Sequence, residues 1–142
     1  MRRLALDVGD ATIGVALSDE LGITARGLFT IQRTDVKSDM RKIMETVKEE
    51  GARAVVVGLP LNLDGSDSVQ TQKTRDFAAK LGNRLRSNAM ADVDVVLYDE
   101  RFTTKMAERV LIEADMSRKK RAKIIDKQAA VIILQSYLES VR

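Results

Sequence analysis

The sequence predicts an α/β fold in which a mixed five-stranded sheet carries helices on both faces. Three observations predict it. The chain opens with three short apolar runs joined by tight turns, it continues with nearly continuous apolar strands at 53–60 and 93–100, and segments of helical periodicity separate these strands. Strands joined by tight turns pair antiparallel, whereas strands joined through a helix pair parallel with right-handed crossovers.

The first third of the chain predicts a three-stranded antiparallel meander. Residues 2–8 and 12–18 form two apolar runs on either side of a turn at Gly9-Asp10. Residues 24–32 form a weaker third strand, which Gly22 and Gly27 punctuate. Short local connections of this kind are typical of a meander.

The rest of the chain alternates helices with the two apolar strands at 53–60 and 93–100, and the apolar runs predict that both strands are buried. Residues 35–50 and 67–87 have apolar side chains at helical spacing, and residues 61–68 between strand and helix predict a loop. Residues 103–114 predict a third helix with Thr103 as its cap, and residues 123–141 predict a strongly apolar last helix. Residues 1–142 contain no linker or repeat, so we expect a single domain.

Composition narrows the chemistry that the protein could perform. The chain has no Cys and no His, which excludes disulfides, thiolate nucleophiles, imidazole bases and Cys-based zinc sites. An enzyme of this composition would use carboxylates, lysines, hydroxyls or a bound metal ion, and oxygen ligands select hard cations such as Mg²⁺ or Mn²⁺. No apolar run approaches the roughly 20 residues of a membrane span, and the N-terminus lacks a signal peptide pattern, so we expect a cytoplasmic protein with no membrane contact.

A basic run predicts contact with a polyphosphate, although the net charge of +3 is modest. A solvated loop and helix end would explain the same residues. The run and its continuation comprise Arg118, Lys119, Lys120, Arg121, Lys123 and Lys127.

Acidic residues occupy positions where apolar residues are expected. Asp7 lies near the end of the first strand, Asp99 and Glu100 close the last strand, and Asp126 shares the apolar stripe of the last helix. Because carboxyl ends of parallel strands meet at one edge of a sheet, we expect these acids to converge there. Side chains alternate along a strand, so one of Asp99 and Glu100 should face the site. Gathered carboxylates repel each other, and two divalent ions about 4 Å apart would relieve that repulsion and could act on a phosphodiester.

Each acid also has a local structural explanation. Asp7 could close the turn in DVGD, and Asp126 could favour a helix N-terminus through the helix dipole. Asp99 and Glu100 could cap the strand end or pair with Arg101.

The loop GLPLNLDGSDSVQT is a weaker candidate for phosphate binding. Gly58 and Gly65 permit close approach of a backbone, and hydroxyl and amide donors at Asn62, Ser66 and Thr71 precede or begin a helix. The loop lacks the Gly-Lys-Ser/Thr ending of a P-loop, and an ordinary surface turn explains it as well.

Four segments together resemble the YqgF family, also called RuvX. They are DVGDATIGVALSD, VVVGLPLNLDGS, YDERFTT and IIDKQAAVIILQSYL, and the resemblance runs from Asp7 to Leu138. GLPLNLDGS and DERFTT are specific strings, whereas DxGxxxIGVA also occurs in actin-like ATPases. Members of the family are described as pre-16S rRNA nucleases and, earlier, as Holliday junction resolvases, with a ribonuclease H-like fold.

The resemblance implies a metal-dependent nuclease that matures pre-16S rRNA ends with Mg²⁺ or Mn²⁺. It implies Asp7, Glu100 and Asp126 as catalytic metal ligands, which selects Glu100 over Asp99. It also implies that Arg101, Thr103 and Thr104 bind the substrate beside the scissile phosphate. The loop and the basic run described above add Asn62, Ser66 and residues 118–123 as predicted substrate-binding residues. The chain departs from the family pattern at Ala11 and Thr12, where members often carry Lys or Arg, and at Ile125, where they often carry Val.

Two other functions stay open at this point. A resolvase of four-way DNA junctions would be expected to form a two-fold dimer for paired incision, and the sequence leaves open a monomer or a homodimer. A non-catalytic nucleic-acid-binding module is the other alternative, although an aromatic content of 4% provides few stacking platforms for single strands. The expected partner is therefore structured RNA or branched DNA.

Overall fold

The computed structural model describes residues 1–101, 103 and 118–141. The elements are β1 (Arg3–Val8), β2 (Thr12–Ser18), β3 (Ala25–Gln32), α1 (Val36–Glu50), β4 (Ala54–Leu59), α2 (Val69–Ser87), β5 (Asp94–Asp99) and α3 (Arg118–Ser140). The strands form one sheet of order β3-β2-β1-β4-β5, in which β2 pairs antiparallel with β1 and β3, and β4 pairs parallel with β1 and β5. This confirms the mixed five-stranded sheet predicted from the sequence.

The last helix begins earlier than the sequence analysis predicts. We expected it at Lys123, after a basic connecting run, but α3 already includes residues 118–122. Arg, Lys and Ala all favour helix formation, and no Gly or Pro interrupts them. The basic run therefore forms the first turns of α3. The helix predicted at 103–114 lies outside the described residues, apart from Thr103.

Alternation along β1 divides the core into two layers. Leu4, Leu6 and Val8 face α1 and α2, where they pack in a large cluster that includes Met40 and Leu81. The opposite face is thinner and lies beneath α3. Its buried residues are Ala5, Ala16, Val56, Ala130, Ile133, Leu134 and Leu138.

Helices α1 and α2 begin at side-chain caps. The carboxylate of Asp35 accepts a hydrogen bond from the Ser38 backbone, and Gly51 ends α1 in the left-handed conformation with φ 64°. Ser68 and Thr71 form a capping box at the start of α2. The Thr71 hydroxyl also donates to the carbonyl of Pro60, at 2.5 Å, and so ties the start of α2 to the end of β4.

Among the described residues, the structure contains no helix with the length and apolar character to cross a membrane.

Candidate active site

The candidate site lies at the edge of the sheet where β1, β4 and β5 end. Leu6 of β1 is in register with Val57 of β4, and Gly58 of β4 is in register with Tyr98 of β5. Asp7 alternates with Val8 and Leu6, so it shares the α3 face of the sheet with Ala5. Glu100 directly follows β5, where its backbone N–H donates to the carbonyl of Leu59 at 3.2 Å.

The Glu100 side chain crosses β4 toward Asp7. Its Oε2 lies over Gly58, at a position that leaves no room for a Cβ on that residue. Burial raises the pKa of Glu100 to about 7, and the negative charges of Asp7 and then Asp99 contribute to the increase. The half-buried Glu100 carboxyl and the Asp7 carboxylate thus lie close enough to repel each other.

Asp99 has a different environment and pairs with Arg101. Its Oδ2 accepts hydrogen bonds from the Arg101 guanidinium at 2.7–2.8 Å, and its Oδ1 accepts one from the Arg101 backbone at 3.0 Å. The hydrogen bonds from Arg101 lower the pKa of Asp99. The two neighbouring acids therefore differ: Glu100 faces Asp7, whereas Asp99 is neutralised at the surface.

Arg101 joins the end of β5 to the loop after β4. Besides Asp99, its guanidinium donates to the carbonyl of Leu63 at 3.3 Å. A phosphate group that bound Arg101 would therefore compete with Asp99 for the same guanidinium.

The loop around residues 62–66 satisfies most of its own polar groups. The Asn62 side-chain amide donates to the Ser66 hydroxyl at 3.0 Å, and the Ser66 backbone and hydroxyl both donate to Asp64. These bonds lower the pKa of Asp64. Asn62 and Ser66 are exposed and lie near Arg101, but Thr71 is buried in the capping box, so our expectation of a phosphate donor at Thr71 was wrong.

Thr103 is buried beside Glu100. Its backbone N–H and its hydroxyl both donate to the Glu100 carbonyl, at 3.1 and 2.9 Å. In this arrangement Thr103 holds the backbone that carries Glu100. Thr104, the other predicted phosphate contact in this segment, lies outside the described residues.

The direction of α3 places its first turns at the same end of the molecule as Asp7. Ile133 packs over Gly58, whereas Tyr137 lies against Arg3 at the opposite end of β1. The helix position 126 is seven residues before Ile133, about 10 Å along the axis and on nearly the same face. The backbone thus brings Asp126 toward the strand ends. The side chains of residues 118–127, including Arg118, Lys119, Lys120, Arg121, Lys123 and Asp126, lie outside the described part of the structure.

The described acids fit a hard divalent cation, although they form an incomplete set. The two half-buried carboxyl groups of Asp7 and Glu100 lie close enough to repel each other, and a cation would relieve that repulsion. Oxygen donors of this kind suit Mg²⁺ or Mn²⁺. Within the described residues no group of three possible ligands occurs, and Asp126 is the third candidate of the sequence analysis.

An ion pair between the half-buried Arg33 and the buried Asp39 supports the turn after β1, and the sequence analysis did not identify it. Arg33 donates to the carbonyl of Gly9 at 2.9 Å and to the carboxylate of Asp39 at 3.0 Å. Asp39 is 1% exposed and also accepts a hydrogen bond from the Thr34 backbone. The signal in the sequence that could have identified this pair is an acid, Asp39, on the apolar face of α1. The hydrogen bond from Arg33 to Gly9 supports the turn that follows Asp7, and Arg33 also lines a cavity of about 220 Å³ on the α1–α2 side.

Comparisons with known proteins find a family and relatives that match nearly the whole chain. The family model described as "RuvX: Holliday junction resolvase" matches residues 1–140. A protein of Caldanaerobacter subterraneus named "Putative pre-16S rRNA nuclease" is 52% identical over 99% of this chain and 97% of its own length. A protein of the same name from Halalkalibacterium halodurans is 48% identical over 98% of this chain and 96% of its own length.

Solved structures with the same fold are far more distant in sequence. The structure of T. thermophilus RuvC in complex with a Holliday junction substrate has a TM-score of 0.60 at 16% identity, over 99% of this chain and 95% of its own. The Fowlpox virus resolvase in complex with Holliday junction DNA has a TM-score of 0.54 at 14% identity, over 99% of both chains. These likenesses confirm the predicted ribonuclease H-like fold.

Proposed function

The chain belongs to the RuvX family, and from that premise we propose that it is a divalent-metal-dependent nuclease that matures the ends of pre-16S rRNA. The observation that carries the proposal is the position of the Glu100 carboxyl opposite Asp7, at the carboxyl ends of the parallel strands. Relatives that match nearly the whole chain carry the name of a pre-16S rRNA nuclease, which supports RNA as the substrate.

The proposed metal ligands are Asp7, Glu100 and Asp126. Burial, and then the negative charge of Asp7, raises the pKa of Glu100 to about 7, so an ionised Glu100 beside Asp7 is unfavourable unless a cation compensates it. When bound, Mg²⁺ or Mn²⁺ ions would activate water for attack on a phosphodiester and neutralise the charge that develops on it. Because the pKa of Glu100 is about 7, part of the protein carries a protonated Glu100 at neutral pH, and cation binding should release that proton.

The chain's other polar residues would hold the nucleic acid. Arg118, Lys119, Lys120, Arg121 and Lys123 begin the helix whose first turns lie toward the strand ends, and they are the proposed contacts to the phosphate backbone. Exposed Asn62 and Ser66 are proposed as further contacts, together with Arg101, Thr103 and Thr104. Of these, Thr103 already bonds the Glu100 carbonyl, which suits a supporting role beside the reaction centre.

A four-way DNA junction is the second candidate substrate. The observation in its favour is the description of the matching family as a Holliday junction resolvase. Resolution of a junction needs two incisions, so this candidate favours a two-fold homodimer, whereas trimming of an RNA end does not. The expected location for either activity is the cytoplasm.

A cleavage assay with purified protein tests the proposal and separates the candidates. Labelled pre-16S rRNA and a synthetic four-way junction are each incubated with Mg²⁺, with Mn²⁺ or with a chelator. We expect RNA cleavage that requires the cation, and we expect Asp7→Asn to abolish it while the circular dichroism spectrum stays unchanged. Asp92→Asn, which alters a surface acid 60% exposed and paired with Arg53, is the matched control.

Each outcome of this assay bears on the proposal. Cleavage at full rate in chelator or by the Asp7→Asn variant would refute the metal mechanism. Cleavage confined to the junction would replace the RNA substrate by the second candidate. Binding of either nucleic acid without cleavage in any cation would favour the non-catalytic module.

A further inference from the structure

We propose that Gly58 is a positioning residue for Glu100: it leaves the space through which the Glu100 carboxylate crosses β4 to reach Asp7. This inference rests on the proposed function, because it concerns the same pair of acids. Gly58 lies on β4, which stands between β1 with Asp7 and β5 with Glu100. A side chain at this position would therefore stand between the two acids.

The backbone gives no reason for a glycine at position 58. The described glycines with positive φ are Gly22, Gly51 and Gly65, and Gly58 is not among them. It lies inside a buried, regular strand that reads AVVVGL, where a β-branched residue would be favoured. Glycine weakens a strand interior and often marks a place where another group approaches closely. The backbone therefore does not require a glycine at position 58, and the requirement comes from the groups that occupy the space above it.

Two side chains occupy that space. A Cβ built on Gly58 would lie closer than 3.0 Å to Oε2 of Glu100, and it would lie 2.5 Å from Cδ1 and 3.2 Å from Cγ1 of Ile133. The atoms of Glu100 and Ile133 that approach the glycine belong to flexible side chains, and none of the three atoms nearest to the built Cβ is a backbone atom. An alanine at this position should therefore be compatible with folding, at the cost of moving these side chains.

The Glu100 carboxylate is the group that would move farther. Ile133 is 1% exposed and packed in the layer beneath α3, so its displacement is resisted by its neighbours. Glu100 is only half-buried and can turn toward solvent. Rotation away from Gly58 carries the carboxylate away from Asp7, so the alanine variant should keep its fold and lose its affinity for a divalent cation.

Mn²⁺ binding provides a test that does not depend on catalysis. The affinity of the full-length protein for Mn²⁺ is measured by electron paramagnetic resonance of the free ion at pH 8. The proteins are wild type, Gly58→Ala, Glu100→Gln and the double variant, with melting temperatures recorded in chelator. Gly82→Ala is the matched control, because a Cβ at Gly82 meets nothing closer than 3.4 Å.

We expect Gly58→Ala to weaken Mn²⁺ binding at least tenfold, to about the level of Glu100→Gln, with Gly82→Ala at the wild-type affinity. We expect no further loss when Gly58→Ala is added to Glu100→Gln, since the glycine acts through that carboxylate. Equal losses from Gly58→Ala with and without Glu100 would overturn the inference. A wild-type affinity in Gly58→Ala, beside a weakened Glu100→Gln, would overturn it as well and leave the proposed function standing.

Two further results show whether the variant has failed to fold and whether the proposed function itself is wrong. Gly58→Ala combined with Ile133→Val removes Cδ1 from the crowded space; it should fold if the single variant does not, and it should still bind Mn²⁺ weakly. Restored affinity in that combination would show that the alanine acts through α3 instead of Glu100, which contradicts the inference. Absence of Mn²⁺ binding by the wild type, or an unchanged affinity in Glu100→Gln, would overturn the proposed function and this inference together.

Discussion

Glu100→Gln should stabilise the cation-free protein, and the gain should grow as the pH rises. Folding raises the pKa of Glu100 from 4.5 to about 7, mainly through burial and then through Asp7. Below pH 4.5 the carboxyl is protonated in both folded and unfolded states and adds no pH-dependent cost. Above pH 7 it is ionised in both, and its charge is held in an unfavourable position only in the folded state, so stability is lost as the pH passes from 4.5 to 7.

The magnitude follows from the two pKa values. Each pKa unit corresponds to about 1.4 kcal/mol, so the interval from 4.5 to about 7 corresponds to about 3 kcal/mol in the free energy of unfolding. This is an upper value because the Glu100 carboxyl is partly exposed to solvent. Glutamine resembles the protonated carboxyl in shape and charge. The stability of Glu100→Gln relative to wild type should therefore increase by about 1–3 kcal/mol between pH 4 and pH 8.

Urea unfolding in the presence of a chelator measures this difference. Wild type, Glu100→Gln and Glu45→Gln are unfolded at intervals from pH 4 to pH 8 and compared at each pH. Glu45 is an exposed acid on α1, so its variant controls for the replacement of a Glu by Gln at the surface. A difference between Glu100→Gln and wild type that stays constant from pH 4 to pH 8 would refute the burial of Glu100 opposite Asp7.

Two further predictions concern the support of the site and the binding of substrate. Asp39→Ala leaves Arg33 without its buried partner and should lower the free energy of unfolding, measured with urea, by about 3 kcal/mol. The control Asp67→Ala breaks a surface pair and should lower it by less than about 1 kcal/mol. Equal losses in the two variants would contradict the role assigned to the Arg33–Asp39 pair. Replacement of Lys119 and Lys120 by Gln should lower the slope of log affinity against log salt by about 0.7–0.9 per residue. Fluorescence anisotropy with labelled RNA measures that slope, and an unchanged slope would exclude contacts from these lysines to the phosphate backbone.

The sequence carried enough information to predict the sheet. Tight turns around Gly9 and residues 19–24 require antiparallel neighbours, and the continuous apolar run of β4 indicates burial in parallel pairing, which the structure shows. The similar apolar run of β5 also predicted a buried strand, and this was wrong: β5 is the terminal strand of the sheet, its residues are half-buried or exposed, and Leu97 is 39% exposed. The predicted start of α3 was wrong because the basic residues at 118–122 were interpreted as a connecting segment that precedes the helix. Charged residues that favour helix formation can extend a helix beyond the core, and the hydrophobic pattern does not reveal this.

Predictions about the site were limited by features that depend on three dimensions. Alternation required Asp99 and Glu100 to differ, but it could not show that Arg101 neutralises Asp99. The role of Gly58 could not be read from the sequence either, because the space above a glycine is set by strands and helices distant along the chain. Whether Asp7, Glu100 and Asp126 act in catalysis stays a prediction.

The two described acids of the site are attached to strands that differ in their number of hydrogen-bonded neighbours. β1 is hydrogen-bonded on both sides by β2 and β4, whereas β5 is the terminal strand of the sheet and has β4 as its neighbour among the described elements. Terminal strands open at a lower free energy than central ones, so Glu100 can separate from Asp7 without unfolding of the whole domain. A ligand bound by both carboxylates would consequently stabilise the terminal strand β5 against local opening as well as occupy the site.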